Sequence, residues 1–477
     1  MIGWSFLSLA IPFIPAYMLV RAASGRTSGP TERVLQFLLS FGVALGISSC
    51  TYFLWLTKPV PGLPGLAASE VIVFSFLCAV PFCFRRSRQA LLALLPFCET
   101  GSSLPSPPRH ERVPAWLLVC FGLVLVMAVC AILMVISNKL HGSNDAYAVW
   151  NLRARFLFRG GDHWADGFSQ LLQWSNPDYP LLLSATIARW WAYMGSDTIL
   201  VPQFIALFFT LATAGLLISA LSTLRSGCQG LVAGLFLFST IFFMRLGGSQ
   251  YADVPIGFFM LATVVAFSLK DGNREKSPIM YSLAGITAGL AAWTKNEGML
   301  FVLAIFLARL VSAILAGTES RKGLIREAAF FCAGLAPVLV VVVFFKLRYA
   351  PPNDLFRNQG AGAVLGRMTD LGRYVMIVEA FAREILRWGY GLFPILVVYA
   401  LFSGIRYNSG HLRLILTCVA TLPLMLCGYF FVYVCTPNNL AWMLGGSLER
   451  LLLQLWPTFL FALFLILTPF EGRCVRG

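Results

Sequence analysis

Apolar positions along this chain come in long runs of about 17 to 22 residues, separated by short polar loops, with no sustained alternation of the strand type. Runs of that length fit helices that cross a bilayer. They are too continuous for an outer-membrane barrel, whose strands need only about ten residues. The pattern predicts helices over 2–20, 34–57, 67–84, 115–137, 199–221, 229–244, 254–269, 279–293, 298–315, 328–346, 388–404, 414–434 and 449–468. That is about thirteen crossings in an all-α polytopic membrane protein with external juxtamembrane helices. Three blocks follow: a three-helix segment with a Ser- and Pro-containing linker (1–114), a helical core with a long loop at 138–198 (115–346), and a C-terminal block opening on a second long loop (347–477).

The run 180–194 is apolar but short and ends in Arg189, Trp190, Trp191 and Tyr193, a cluster suited to the headgroup layer, so it is expected at the interface. Loops carrying Arg85, Arg86 and Arg88, then Arg225, then Lys270, Arg274 and Lys276, then Arg321, Lys322 and Arg326, then Arg406 and Arg413 share one side. The positive-inside rule makes that side cytoplasmic, so 138–198 and 347–387 face outward. The second of these loops breaks the rule, with six arginines (Arg348, Arg357, Arg367, Arg373, Arg383, Arg387) against four acids. It either binds anions or is a solvated surface loop. The first run lacks a preceding basic stretch and a small-residue cleavage site, so it is expected to stay as a helix.

Composition adds the solvent and removes several function classes. The 477 residues are 58% hydrophobic and 12% charged. A net charge of +15 would suit nucleic acid, but the basic residues sit mainly between the runs, where they orient the chain against anionic lipid, and no nucleic-acid partner is expected. Of twelve cysteines many lie inside apolar runs and none forms a CxxC pair, and the four histidines show no HExxH spacing. No GxSxG motif occurs either. No cofactor is expected on this basis, with a divalent cation left open.

The polar residues at the outer helix ends carry the candidate chemistry. Asn144 and Asp145 follow the fourth run, in a segment with Trp150, Arg153 and Arg155; Tyr251-Ala252-Asp253-Val254-Pro255 opens the seventh; Lys295-Asn296-Glu297-Gly298 joins the eighth and ninth; Glu449 and Arg450 begin the last. An acid at the edge of lipid is costly to keep and asks for a chemical reason. Singly, each site has a plainer reading: Asp145 paired with Arg153 or Arg155, Asp253 as a helix N-cap, Lys295 and Glu297 as a self-neutralising pair, Arg450 as a headgroup anchor. The plainer readings do not explain why all four fall on one side. The rings of Tyr147, Trp150, Trp164, Trp174, Trp190 and Trp191 suit either sugar stacking or an interfacial aromatic belt.

In their order, the long loop with Asp145, the helix start Asn176-Pro177-Asp178-Tyr179-Pro180-Leu181, the Tyr251 to Pro255 motif and the stretch from Gly289 through Trp293-Thr294-Lys295-Asn296-Glu297-Gly298 resemble the GT-C membrane glycosyltransferases. Within them the chain is most similar to the protein O-mannosyltransferase and aminoarabinose-transferase branch, over roughly 138 to 315, with a weaker echo at 447–457. The resemblance implies transfer of a sugar from a polyprenyl-phosphate donor to a lipid, glycan or protein acceptor, with inversion, on the external leaflet; length and the lack of a luminal domain point to a bacterial inner membrane. The resemblance also maps the family's catalytic acid onto Asp145, its second external acid onto Asp253 and its lysine region onto Lys295. Two departures leave metal use and acceptor open: Asn144-Asp145 stands where the family often has two acids, and Asn176-Pro177-Asp178-Tyr179-Pro180 where it has His-Pro-Pro.

Attack by an acceptor hydroxyl needs a base, and a departing phosphate needs positive charge. Asp145 is the expected base. Lys295 and Arg450 are expected to neutralise phosphate and Asp253 to orient the acceptor or Lys295. Asn144, Tyr251, Trp150, Arg153 and Glu297 are expected to complete the substrate contacts. The rival readings are a transporter or lipid-carrier flippase, which would place its charged sites near the bilayer midplane, and a non-catalytic assembly subunit.

Overall fold

The computed structural model describes residues 2–25, 29–57, 65–79, 113–272, 277–317, 320–353, 360–405 and 412–468. The expected linker and the basic residues Arg85, Arg86, Arg88, Arg274, Lys276, Arg357 and Arg406 lie outside them. Within the described residues the chain is helical, with a single extended bridge between Ile405 and Leu467.

The helices are α1 (Ile2–Ser24), α2 (Pro30–Thr57), α3 (Leu66–Ala79) and α4 (Ala115–Asn138), then a π-helical turn, Ala146–Trp150, that runs into α5 (Asn151–Arg159). Two 3-10 segments, Gly161–Phe168 and Gln170–Ser175, lead to α6 (Leu182–Met194), α7 (Leu200–Leu224), α8 (Gly227–Phe238), α9 (Ile241–Gly248) and α10 (Asp253–Gly272). There follow α11 (Ile279–Thr294), α12 (Glu297–Ala316), α13 (Arg321–Arg348), α14 (Ala361–Thr369), α15 (Leu371–Arg387), α16 (Leu392–Ser403), α17 (Leu412–Cys435) and α18 (Leu440–Ile466).

Eight of these, α2, α4, α7, α10, α12, α13, α17 and α18, are long and apolar enough to cross a membrane, and counting two bent pairs raises the number to ten. The fold class is therefore all-α and polytopic, with fewer qualifying crossings among the described residues than the sequence pattern suggests. One expected span, Ile279–Thr294, is a shorter apolar helix: at 16 residues it reaches only about 24 Å against a hydrocarbon core of about 30 Å. The expected 67–84 span is helical over Leu66–Ala79, and residues 80–84 lie outside the described residues. Two others are broken: α8 and α9 meet at 70° across Ser239 and Thr240, and the helix ending at Tyr390 meets α16 at 81°. The second break has a backbone cause, since Gly389, Tyr390 and Gly391 all take positive φ and cannot continue a right-handed helix.

The centre is α10 and α11, buried along almost their whole length. Helices α11 and α13 come close because both lack a side chain at the crossing: a Cβ on Gly334 would lie 1.9 Å from the Ser282 carbonyl oxygen, and one on Gly285 2.1 Å from that of Phe331. Small residues at such crossings are what lets helices pack without a hydrophobic driving force between them.

The 180–194 segment is packed largely within the protein. Arg189 on α6 is fully buried and paired with Glu70 of α3, which also accepts from Tyr193 at 2.7 Å, while Arg189 donates to the Ser8 carbonyl at 2.7 Å. A cation and an acid hidden from lipid in this way need each other, and together they fasten α1 and α3 to the core. Two of the arginines in 347–387, Arg367 and Arg373, have a local explanation as well. Arg367 donates to the Cys435 carbonyl, and Arg373 donates to those of Tyr433, Val434 and Thr436 at 2.9 to 3.1 Å. Both satisfy the open carbonyls at the C-terminus of α17, where a cation also meets the negative end of the helix dipole.

Candidate functional site

Asp145 is positioned by stitching between two turns. Ser143 pairs with Ser249 through backbone (3.2 Å) and side chain (3.1 Å), and Asn151 donates to Gln250 at 2.9 Å and to the His141 carbonyl at 3.1 Å. The turn at Gln250 has φ of +62°, a strained conformation for a residue with a side chain. These contacts set Asp145 beside Tyr251, whose hydroxyl accepts from the Asp145 amide at 3.4 Å. Immediately after Asp145 the helix is over-wide for one π turn, a feature that recurs at functional sites.

Asp253, the first residue of α10, is completely buried and fully engaged. Its Oδ1 accepts from Lys295 Nζ at 2.9 Å and from Gln454 Nε2 at 2.8 Å; its Oδ2 accepts from Arg450 Nη2 at 3.0 Å and Nε at 3.2 Å. Tyr429 donates to Gln454 at 3.2 Å and so fixes its amide. The other edge of Arg450 reaches Asp145, Nη1 to Oδ2, at 2.7 Å, and the guanidinium lies 4.8 Å from the Tyr251 ring centre. Lys295 also meets Glu297 at 2.9 Å. The turn that carries this pair needs Gly298, because a Cβ there would fall 2.0 Å from the Ala291 carbonyl oxygen.

Burial works against the Lys295 ammonium, yet the carboxylates of Asp253 and Glu297 outweigh it and hold its pKa above the ordinary lysine value. Burial, then the charge of Glu297, pushes the Tyr179 phenol up, so Tyr179 faces Lys295 as a neutral ring 5.7 Å away.

Asn144, Asp145, Tyr251, Lys295, Glu297 and Arg450 all line one cavity of about 1090 Å³, with Asp253 directly beneath. Typical small-molecule pockets run to about 300–1,000 Å³, so this one stands at the top of that range. Two residues expected to touch substrate do not line it. Trp150 is buried against Tyr179, ring centres 5.5 Å apart, and Arg153 is buried behind the 175–179 loop, donating to the carbonyls of Ser175, Asn176 and Tyr179. Both support the wall from behind. Nor does Asp145 pair with Arg153 or Arg155; the latter goes to Asp197 at 3.7 Å.

Sequence reasoning passed over Gln454, Tyr429 and a second polar group beside the first. Asp178 accepts from Asn296 and Asn353, each at 2.7 Å, and Lys346 donates to Asn296 at 2.7 Å. Asp178 lay inside a noted motif, but nothing in the local pattern points from it to residues so distant along the chain. A further buried network, Asp271, Arg309, Glu327 and Arg413, ties α10, α12, α13 and α17 together at the far end of α10, about 27 Å along that helix from Asp253. An arginine within an apolar run was its available signal. Among the described residues no group of three or more His, Cys, Asp and Glu side chains is arranged to hold a metal ion.

No family model, no curated protein and no solved structure matches the chain.

Proposed function

We propose that the chain is an integral membrane glycosyltransferase that moves a sugar from a polyprenyl-phosphate donor to an acceptor hydroxyl, on the outer side of a bacterial inner membrane. The observation that carries this reading is the meeting of Asp145, Lys295, Glu297 and Arg450, from three separate parts of the sequence, on one large cavity. A base and a phosphate-binding cation in contact are what the reaction needs.

Arg450 is anchored through Nε and Nη2 to the buried Asp253, while Nη1 holds Asp145, whose side chain is 35% exposed. The anchored edge stays; the cavity edge exchanges. A donor phosphate takes Nη1, and Asp145 is released as the base. Asp145 then accepts the proton of the acceptor hydroxyl as its oxygen bonds to the anomeric carbon from the face opposite the phosphate. The carbon–oxygen bond to phosphate breaks, the phosphate leaves with the electron pair, and Arg450 stabilises its charge. Lys295 keeps Asp253 and Glu297 in place.

A transporter or lipid-carrier flippase draws support from the 70° break between α8 and α9, since broken helices mark many transporter sites. Incubation of purified protein with radiolabelled polyprenyl-phosphate sugars and candidate acceptors separates the two. Label in an acceptor supports transfer. Movement of the intact donor across proteoliposomes without any acceptor labelling would replace the proposal with transport.

A further inference from the structure

Resting on the transferase reading, the cavity has a second polar region whose chemistry differs from the ion network. The loop Lys295-Asn296-Glu297 divides the two: Lys295 turns to Asp253, while Asn296 turns to Asp178. Around Asn296 the cavity wall is built from Gln173, Trp174, Asn176, Lys346 and Asn353, mostly neutral amides. Of the six aromatic residues singled out in the sequence, Trp174 alone is both exposed, at 64%, and on this wall.

The wall is held in place. The buried Arg153 guanidinium donates to the Ser175, Asn176 and Tyr179 carbonyls at 2.6, 2.8 and 3.3 Å, and burying a cation for this purpose is expensive unless the loop must keep its shape. Asn176 has φ of +47°, a strained conformation supported by that clamp. One buried carboxylate, Asp178, orients both Asn296 and Asn353, and Lys346 fixes the Asn296 carbonyl.

A side-chain amide both donates and accepts, as a hydroxyl does, and gives no preference to a charged group. An exposed indole beside several held amides suits the apolar face and hydroxyl edge of a sugar ring. We propose that this region is the acceptor subsite and that the acceptor is a carbohydrate, stacked on Trp174 and hydrogen-bonded through Asn176, Asn296 and Asn353.

The test uses the full chain in a detergent without a sugar headgroup, with saturation-transfer NMR and no donor. The probes are neutral trisaccharides (a glucan, a galactan and an N-acetylglucosamine oligomer) and a Ser/Thr-rich decapeptide. At least one trisaccharide receives saturation in the parent and in Trp442→Ala, which removes another exposed indole of the same cavity, binds about tenfold more weakly to Trp174→Ala, and recovers with Trp174→Tyr. Absence of trisaccharide binding, preference for the peptide, indifference to Trp174→Ala or an equal loss in Trp442→Ala would each overturn the proposal. A chain that binds a trisaccharide in this way yet never glycosylates it sinks the transferase reading and leaves the carbohydrate site standing.

Discussion

Arg450 holds Asp145 at 2.7 Å with one edge of its guanidinium and Asp253 at 3.0 Å with the other. The two acids differ in surroundings, one 35% exposed to the cavity and the other fully buried, so a single planar fork joins a fixed support to an exchangeable group. A lysine offers a point charge and cannot span both. Arg450→Lys is expected to lower sugar transfer by about a hundredfold or more, with only a modest fall in melting temperature, in initial-rate and thermal-melt measurements on the same preparation. Near-parental transfer would mean that bridging is unnecessary.

Asp253 neutralises two cations, the buried Lys295 and the partly buried Arg450, without touching the cavity. Replacing it by Asn removes the charge and leaves both cations under-compensated, so Asp253→Asn should lose about 3–5 kcal/mol of stability. Adding Lys295→Met should restore part of that loss. A double variant no more stable than the single one would contradict the assignment of Asp253 as a charge support.

These contacts show which parts of the molecule the sequence revealed and which it did not. Long apolar runs are enough to identify helices, because length and continuity are set by the solvent; whether a run stays straight depends on local backbone, as at Gly389 to Gly391. Asp145, Asp253, Lys295 and Arg450 could be named because each is an ionic group at the end of an apolar run. Gln454 and Tyr429 could not, since a neutral polar residue within a helix carries no sign of its partner. Arg189 looks like a headgroup residue in the sequence, since its partner, Glu70, lies 119 positions away inside another apolar run.

Neither member of the Glu70–Arg189 pair lines the cavity, so the pair tests structure alone. Glu70→Gln leaves the Arg189 charge buried without its counter-ion, and a loss of about 3–5 kcal/mol is expected by thermal melting. Transfer per folded molecule should stay within about twofold of the parent. An unshifted melting curve would mean that the pair does not secure α3.

The raised pKa of Lys295 has a defined consequence for pH. A group whose pKa rises on folding contributes its full stability below the unfolded value, about 10.4, and loses it only as pH climbs toward the folded value. The stability difference between the parent and Lys295→Met should therefore be constant from about pH 6 to 9 and narrow above about pH 10.5. Narrowing within the neutral range would show that the ammonium is not held as described.

Asp145→Asn addresses the reaction itself, because it keeps the size of the side chain and removes its ability to take a proton. The decisive measurement is single-turnover transfer from a radiolabelled polyprenyl-phosphate sugar, with donor binding measured in parallel. Transfer slowed by about 10² to 10⁴ with donor binding and melting temperature retained is the expected result. Transfer at the parental rate would exclude Asp145 as the base and remove the chemical role assigned to its contact with Arg450.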